Sequence, residues 1–368
     1  MPPPLSKLSI HGFKSIRAMD ELEFSNLNVL IGANGSGKSN LISFFRMLRH
    51  LVDGALDEYI REAGGVGDLL FNGRKGTEHM SFRARFGIRG YSFHITPGPL
   101  ESAFLTDEER FYEHGQTGWW NLPASGSCLS SLVKEAKSSS DQSKYSKPVY
   151  DTIASWQIYH FHDTGPTASM RHAEIVQDNK VLRSDAANIA PYLLRLRSEG
   201  DPAYQEIINA VRLVTPFFDH FGLEELSLGQ AQKVSLSWHQ KASDFPMQSY
   251  HLSDGSLRFI CLATALLQPE LPSCLILDEP ELGLHPAAIH LLAELIHDAA
   301  KRTQLIIATQ SPELINQFEI KDIIVVNHEG GASTFSRLDE QDYSTWLEDY
   351  SIGELWSKNV IRGGPNFG

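Results

Sequence analysis

The chain has little of what would place it outside the ordinary globular class. It carries three cysteines in 368 residues, Cys128, Cys261 and Cys274, at no metal-ligating spacing. An odd thiol count without a framework excludes a disulfide-stapled secreted scaffold and fits a reducing, cytoplasmic setting. Cys261 and Cys274 lie in apolar runs and are expected to be buried. No stretch approaches about 18 uninterrupted apolar residues, and the start, Met-Pro-Pro-Pro, lacks a basic-then-apolar signal, so no membrane span is expected. There is no internal repeat and no run of three heptads, which excludes a solenoid and a long coiled coil. Positive charge is in deficit, 32 Lys and Arg against 45 Asp and Glu, for a formal net charge of −13. Bulk charge is therefore not that of a nucleic-acid binder, which leaves only a local basic patch open. The 42% hydrophobic content is enough for a sizeable core, in one large domain or two ordinary ones.

The most informative stretch is 28–40, Asn-Val-Leu-Ile-Gly-Ala-Asn-Gly-Ser-Gly-Lys-Ser-Asn. Val29, Leu30 and Ile31 read as the end of a buried strand, and a helix is expected from Leu41 to about Leu51. Between them Gly32, Gly37, Lys38 and Ser39 fit G-x-x-x-x-G-K-[ST]. Such a loop curls its backbone N–H groups inward at phosphate oxygens, and the following helix adds its positive end. Lys38 would reach the β- and γ-phosphates, and the Ser39 hydroxyl would ligate magnesium.

Along the chain, residues 5–24 read as two strands around Gly12-Phe13-Lys14-Ser15-Ile16, and 55–76 as Gly-rich and irregular. Residues 80–96 alternate at period two through Met80, Phe82, Ala84, Phe86 and Ile88, with Arg83, Arg85 and Arg89 on the other face. That arginine row reads as a solvated strand face, with a nucleic-acid backbone surface as the sharper alternative. Residues 97–148 read as a loop-rich or partly helical insertion with Lys134, Lys137, Lys144 and Lys147, and Trp119-Trp120 as core, with a partner contact as the alternative. A strand is expected over 153–161 and helices over 186–221, including Leu213. Strands follow over 223–238, then a helix from Asp254 to about Leu267. Ser273–Leu277 reads as a strand and Pro286–Ala300 as a helix. Leu305–Ala308 and Ile323–Val326 read as strands, separated by a short helix over 312–318. The tail 339–368 is expected to pack as a helix through Trp346, Leu347, Leu355 and Trp356.

Two further motifs carry chemistry. Cys274-Leu275-Ile276-Leu277-Asp278-Glu279-Pro280 is an apolar strand ending in two acids. Asp278 would hold magnesium directly or through water, and Glu279 would take a proton from the attacking water. Upstream, Leu252-Ser253-Asp254-Gly255-Ser256-Leu257-Arg258 opens a helix, where Ser253 and the N–H of Gly255 form an anion site. An ordinary N-cap is the simpler account of this motif alone. Because the first loop already cradles one nucleotide's phosphates, a second phosphate-reading helix end makes sense if it serves another molecule's ATP.

In this order the phosphate loop, the L-S-D-G-x-x-R signature and the D-E-P-E-L-G-L-H-P block resemble an ABC-type ATPase. Asn34 and Asn40 in G-A-N-G-S-G-K-S-N, with the preceding G-F-K-S-I, resemble the SMC/RecF branch. The Tyr159–Thr164 run Y-H-F-H-D-T and Leu355-Trp356 extend the likeness to stand-alone AAA_21 or OLD-like ATPases. The resemblance implies an α/β P-loop NTPase fold, an ABC-type head with a mixed or antiparallel β subdomain and a helical lobe. It implies one domain in two lobes. Residues 1–96 and 253–335 would form the nucleotide-binding core, 97–252 an insertion and helical lobe, and 336–368 a helical tail. ATP and magnesium would be the cofactors, bound by Gly32, Ala33, Asn34, Gly35, Ser36, Gly37, Lys38, Ser39 and Asn40. Ser253 and Gly255 would contact the opposite subunit's ATP. Ser39 and Asp278 would support the metal, and Lys38, Glu279 and Gln310 would act in catalysis. Gln310 stands in Thr309-Gln310-Ser311-Pro312 where this branch usually has a switch histidine, and an amide cannot carry its charge. His162 or Asp163 is the candidate glutamine-loop residue. His285 stands where the family has its subunit-crossing loop, with capping or packing as the equal alternative.

The preferred expectation is an ATP-hydrolysing homodimer switch acting in a DNA-associated process, such as repair, or on a separate effector, as in antiphage defence. About 90 residues follow Asp278, too few beyond the ATPase sheet for a TOPRIM nuclease. The alternatives are the energising subunit of a membrane transporter and a non-hydrolysing ATP-sensing scaffold.

Overall fold

A computed structural model describes residues 3–113, 117–123, 126–228 and 231–361. The chain divides into two compact units. The first holds the residues up to Ile158, Pro272–Ile276 and those from Thr303 onward, and the second holds Tyr159–Leu271 and Leu277–Arg302.

The first unit contains two six-stranded sheets. One is antiparallel throughout, in the order Ile16–Glu23, Lys7–Phe13, Met80–Phe86, Arg89–Pro97, Ala103–Tyr112, Gly118–Asn121. The other runs Ala332–Arg337, Ile323–Glu329, Leu27–Ile31, Gln304–Thr309, Cys274–Asp278, Gln157–Tyr159, and the division between the units falls within its last two strands. Its centre is parallel: Leu27–Ile31 pairs with Gln304–Thr309 on one side and Ile323–Glu329 on the other. Leu27–Ile31 and Gln304–Thr309 are buried throughout, as are residues 323–326 of the third strand, because both faces of a parallel sheet are covered there. The helix Lys38–Asp53 places Phe44, Phe45 and Leu48 in the core. There Phe44 meets Phe13 edge-on at 5.2 Å, and Phe45 meets Trp156 at 5.3 Å.

Several expectations are corrected here. The alternation over 80–96 is a hairpin of two strands, and Ile88 lies exposed in its turn. Residues 97–148 are not mainly loop: Ala103–Tyr112 is a ten-residue strand and Ser143–Ser155 a helix. That helix occupies the start of the expected 153–161 strand, which shrinks to Gln157–Tyr159. Its sequence, Ser-Lys-Tyr-Ser-Lys-Pro, has weak local preference, and burial of Val149 and Ile153 with the Lys147–Asp151 pair at 2.9 Å decides the outcome. Trp119 and Trp120 are half-exposed rather than core; Trp119 leans on Phe111 and lies under Arg83. Among its described residues the tail forms two short helices, of which Ile352–Ser357 buries Leu355 and Trp356 while Trp346 stays exposed; residues 362–368 of the expected tail lie outside the described residues.

The second unit packs the helix Pro202–Val214 and the helix Pro286–Ala300 against the helix Asp254–Leu267. The expected run over 186–221 breaks at Gly200-Asp201-Pro202. Gly200 ends one helix in left-handed conformation, Asp201 caps the next, and Pro202 starts it. Leu213 is exposed at the end of that second helix. The helix Asp254–Leu267 buries all of its residues from Leu257 onward, including Cys261. Burial raises the Cys261 thiol pKa to about 12, and Cys274, in the first unit, is raised by burial as well.

Candidate functional site

In the first unit the loop 32–37 leaves the strand Leu27–Ile31 and enters the helix at Lys38. Gly37 sits at φ +119, a conformation that side-chain-bearing residues rarely adopt. A Cβ on Gly32 would collide with the Val326 carbonyl, so both motif glycines are required by the backbone. Lys38 is buried and donates to the carbonyls of Gly32 at 2.6 Å and Ala33 at 3.2 Å. Asn34, Gly35 and Ser39 are exposed, and Ala33 and Asn40 are partly so.

A relay of side chains holds this loop. The Asn40 amide donates to Ser15 Oγ at 2.6 Å, Ser15 and Ser333 hydroxyls meet at 2.7 Å, and Ser333 Oγ donates to the Ser36 carbonyl at 2.6 Å. A hydroxyl has one proton, so the Ser15 hydroxyl must donate to Ser333. This assigns a task to Asn40 and to the serine of G-F-K-S-I. Ser333 lies some 300 residues away in sequence and had no motif to mark it. Ser36 Oγ is buried with no hydrogen-bond partner among the described residues, an orphan that a bound phosphate oxygen would satisfy. The register Thr309↔Ile31 sets Gln310 beside Gly32, in the same layer as the loop.

The second unit holds the other motifs. Ser253 caps the helix Asp254–Leu267, its Oγ accepting from the Ser256 N–H at 3.1 Å. Gly255 lies so close to Gly283 of the E-L-G-L-H-P block that a Cβ would come within 2.5 Å of the Gly283 carbonyl. Arg258 is the organising side chain. Buried to 5% exposure, it donates to the carbonyls of Phe161 at 2.8 Å, His162 at 3.0 Å and Leu282. Burial lowers its pKa and Asp254 opposes that, yet a guanidinium stays charged. It thereby ties the signature helix to Y-H-F-H-D-T and to the block after Glu279. Arg171, which no motif marked, does the same for the helix start: it donates to Thr164 O at 2.8 Å, to Ser249 O, and to Asp254 Oδ1 at 2.8 Å.

Phe161 is buried, and the imidazoles of His160 and His162 pack together, tilted by 39°, with centroids 3.8 Å apart. His160 Nδ1 lies 3.5 Å from Asp278 Oδ2, and His162 Nε2 donates to the Asp278 carbonyl at 2.9 Å. His160 was not among the expected site residues, although the H-x-H spacing could have marked it. Asp163 instead accepts from the Gly165 N–H in a local turn. Glu279 has φ +43, rare for a side-chain-bearing residue and rarer before Pro280. His285 caps the helix Pro286–Ala300, its Nδ1 accepting from Ala287, which is the capping alternative.

Residues 27–316 match the family described as "AAA domain, putative AbiEii toxin, Type IV TA system" (AAA_21). The chain belongs to the AAA_21 family of P-loop ATPases. Among solved structures, this AAA_21 chain is similar to an Smc head bound to the C-winged helix domain of ScpA. The TM-score is 0.57 at 17% identity, covering 93% of this chain and all of that one. It is also similar to an Smc head domain with an extended coiled coil from Pyrococcus furiosus, bound to the C-terminal domain of ScpA. There the TM-score is 0.52 at 15% identity, covering 94% and 99%. The fold is thus the mixed α/β fold of Smc heads, with an antiparallel β subdomain. No helix among the described residues is long and apolar enough to cross a membrane.

The arginine row is largely neutralised within its own sheet. Arg85 pairs with Glu113 at 2.9 Å and lies over Phe111, and Arg83 pairs with Glu109 at 3.7 Å and lies over Trp119. That is the pattern of the solvated strand face.

Proposed function

We propose that this chain binds ATP with magnesium in its phosphate loop, hydrolyses it, and uses the cycle to close and open a pair of chains that controls a separate effector. The observation that carries the reading is the loop itself. Its glycines admit no side chain, its buried lysine lies along its carbonyls, and the buried Ser36 hydroxyl lacks a partner. Membership of AAA_21 supports nucleotide binding. Lys38 would bind the β- and γ-phosphates. The Ser39 hydroxyl and the Asp278 carboxylate are the hard oxygen donors magnesium takes. Magnesium, when bound, would supply charge neutralisation on the phosphates. Glu279 would accept the water's proton. Gln310, beside Gly32, would donate an amide hydrogen bond to the terminal phosphate without adding charge, which favours slow hydrolysis. Ser253 and the Gly255 N–H would read the terminal phosphate of the partner's ATP.

Both related heads were solved with part of a second protein, ScpA, and a separate effector is proposed on that pattern. The pairing of Arg83 and Arg85 with glutamates favours effector control over direct DNA contact. The test is the solution mass of Glu279→Gln by light scattering, with and without ATP and magnesium, beside phosphate release by the unaltered chain. A monomer that doubles in mass only with ATP, and release that vanishes in the variant, are expected. ATP binding without a change in mass would overturn the paired switch, and no ATP binding would overturn the whole reading.

A further inference from the structure

We propose that His160, His162 and Asp278 form a binding site for a divalent transition metal, of the zinc or cobalt kind, which in the nucleotide-free chain takes the same Asp278 carboxylate that the magnesium reading above uses. The three residues each offer a ligand atom, and these atoms all lie within 4.8 Å of one another. All three belong to the second unit, so the site stands without reference to the phosphate loop.

The geometry is close to what an ion requires. Two ligand atoms each about 2.1 Å from a tetrahedral zinc stand about 3.4 Å apart; His160 Nδ1 and Asp278 Oδ2 are 3.5 Å apart. The His160 side chain is 45% exposed and the Asp278 side chain 11%, so the cluster is reached from solvent on the His160 side.

The tautomer of His162 is also set. A carbonyl oxygen only accepts, so Nε2 must carry the proton toward the Asp278 backbone, and the neutral ring keeps its lone pair on Nδ1. Ligating histidines commonly donate their other N–H to a backbone carbonyl in this way, which orients the ring. Arg258 adds a second restraint by holding the carbonyls of Phe161 and His162. The pair is thus built on a segment pinned at its backbone. Two imidazoles and one carboxylate suit zinc, cobalt or iron, whereas magnesium seeks oxygen ligands. Three protein ligands leave an open position, where a water or a phosphate oxygen would bind.

The test uses the full chain stripped of metal and free of nucleotide. Cobalt(II) is titrated in while its visible absorption is followed, then displaced with zinc, and magnesium binding is measured alongside. One ion per chain is expected, with the intense absorption of a four- or five-coordinate site and zinc affinity at least about a hundredfold above magnesium. His160→Ala and His162→Ala should each lower zinc affinity by roughly tenfold or more. Lys38→Ala should leave the titration unchanged while losing ATP, so failure of the nucleotide reading and failure of this site are read separately. The proposal is overturned if cobalt shows only the weak spectrum of the hydrated ion, or if the histidine variants, shown folded by circular dichroism, bind zinc as tightly as the unaltered chain.

Discussion

Arg258 offers the sharpest test of how the second unit is held together. Its guanidinium satisfies three backbone carbonyls, those of Phe161, His162 and Leu282, with five donors in a rigid plane. Arg258→Met keeps much of the apolar stem but removes every donor. A hydrogen bond from a charged group contributes about 1.5–3 kcal/mol, and a stranded buried acceptor costs about 1–3 kcal/mol. The three bonds share one donor group and do not add, so the expected loss is about 3–5 kcal/mol, the range for breaking a buried charged network. Against a typical domain stability of about 5–15 kcal/mol, that is a large fraction. Arg258→Lys retains the charge but presents a point donor that cannot span three carbonyls, and should lose about 1.5–3 kcal/mol. Urea unfolding followed by tryptophan fluorescence and circular dichroism reads both variants. Of the six Trp residues only Trp238 belongs to the second unit, where it is buried, so a Trp238→Phe background reports the first unit alone and the signal it loses reports the second. The reasoning is refuted if Arg258→Lys unfolds at the same urea concentration as the unaltered chain, or if the loss appears only in the first unit.

Other outcomes follow from single contacts. Ser333→Ala removes the hydroxyl that holds the Ser36 carbonyl and accepts from Ser15. It should cost about 1–2 kcal/mol and weaken binding of a fluorescent ATP analogue several-fold, and an unchanged affinity would mean the relay does not shape the loop. Glu279→Gly should relieve the left-handed strain, worth about 1–2 kcal/mol, less the roughly 0.5–1 kcal/mol entropy cost of glycine. A variant as stable as the unaltered chain or up to about 1.5 kcal/mol more so, yet without phosphate release, is expected, and a thermal melt showing clear destabilisation would count against the strain argument. Burial raises the pKa of all three thiols, with Asp57 adding to the effect at Cys128. Thiolate is the reacting form, so a thiol reagent near neutral pH should modify the native chain slowly and all three sites quickly once unfolded. Raising the pH should speed half-buried Cys128 first, and fast labelling of Cys261 in the native chain would contradict its burial.

Much of the first unit's centre was determined by sequence alone. Leu27–Ile31 and Gln304–Thr309 are short, almost wholly apolar runs bounded by polar turns, and such runs have few alternatives to a covered parallel strand. Gly37, the cap at Ser253 and the start at Pro286 act through local backbone geometry, so residue type and spacing disclose them, whereas Gly32 was marked by the motif but is enforced by the distant Val326 carbonyl. Helix starts at Asp254 and Pro286 were legible for that reason. Where local preference is weak, packing decided. The helix Ser143–Ser155 owes its form to burial of Val149 and Ile153, and Trp119 and Trp120 lie half-exposed in the last strand of the antiparallel sheet, Trp119 under Arg83, rather than in the core. The same holds at the site. Ser333, Arg171 and Arg258 act on carbonyls tens to hundreds of residues away, and a backbone carbonyl leaves no mark in sequence. The H-x-H spacing of His160 and His162 was the one mark the pair left in the sequence, and it did not bring His160 among the expected site residues. That the pair faces Asp278, more than a hundred residues on, is a fact of tertiary structure, because only the folded chain brings a strand end and an imidazole pair within ligand distance.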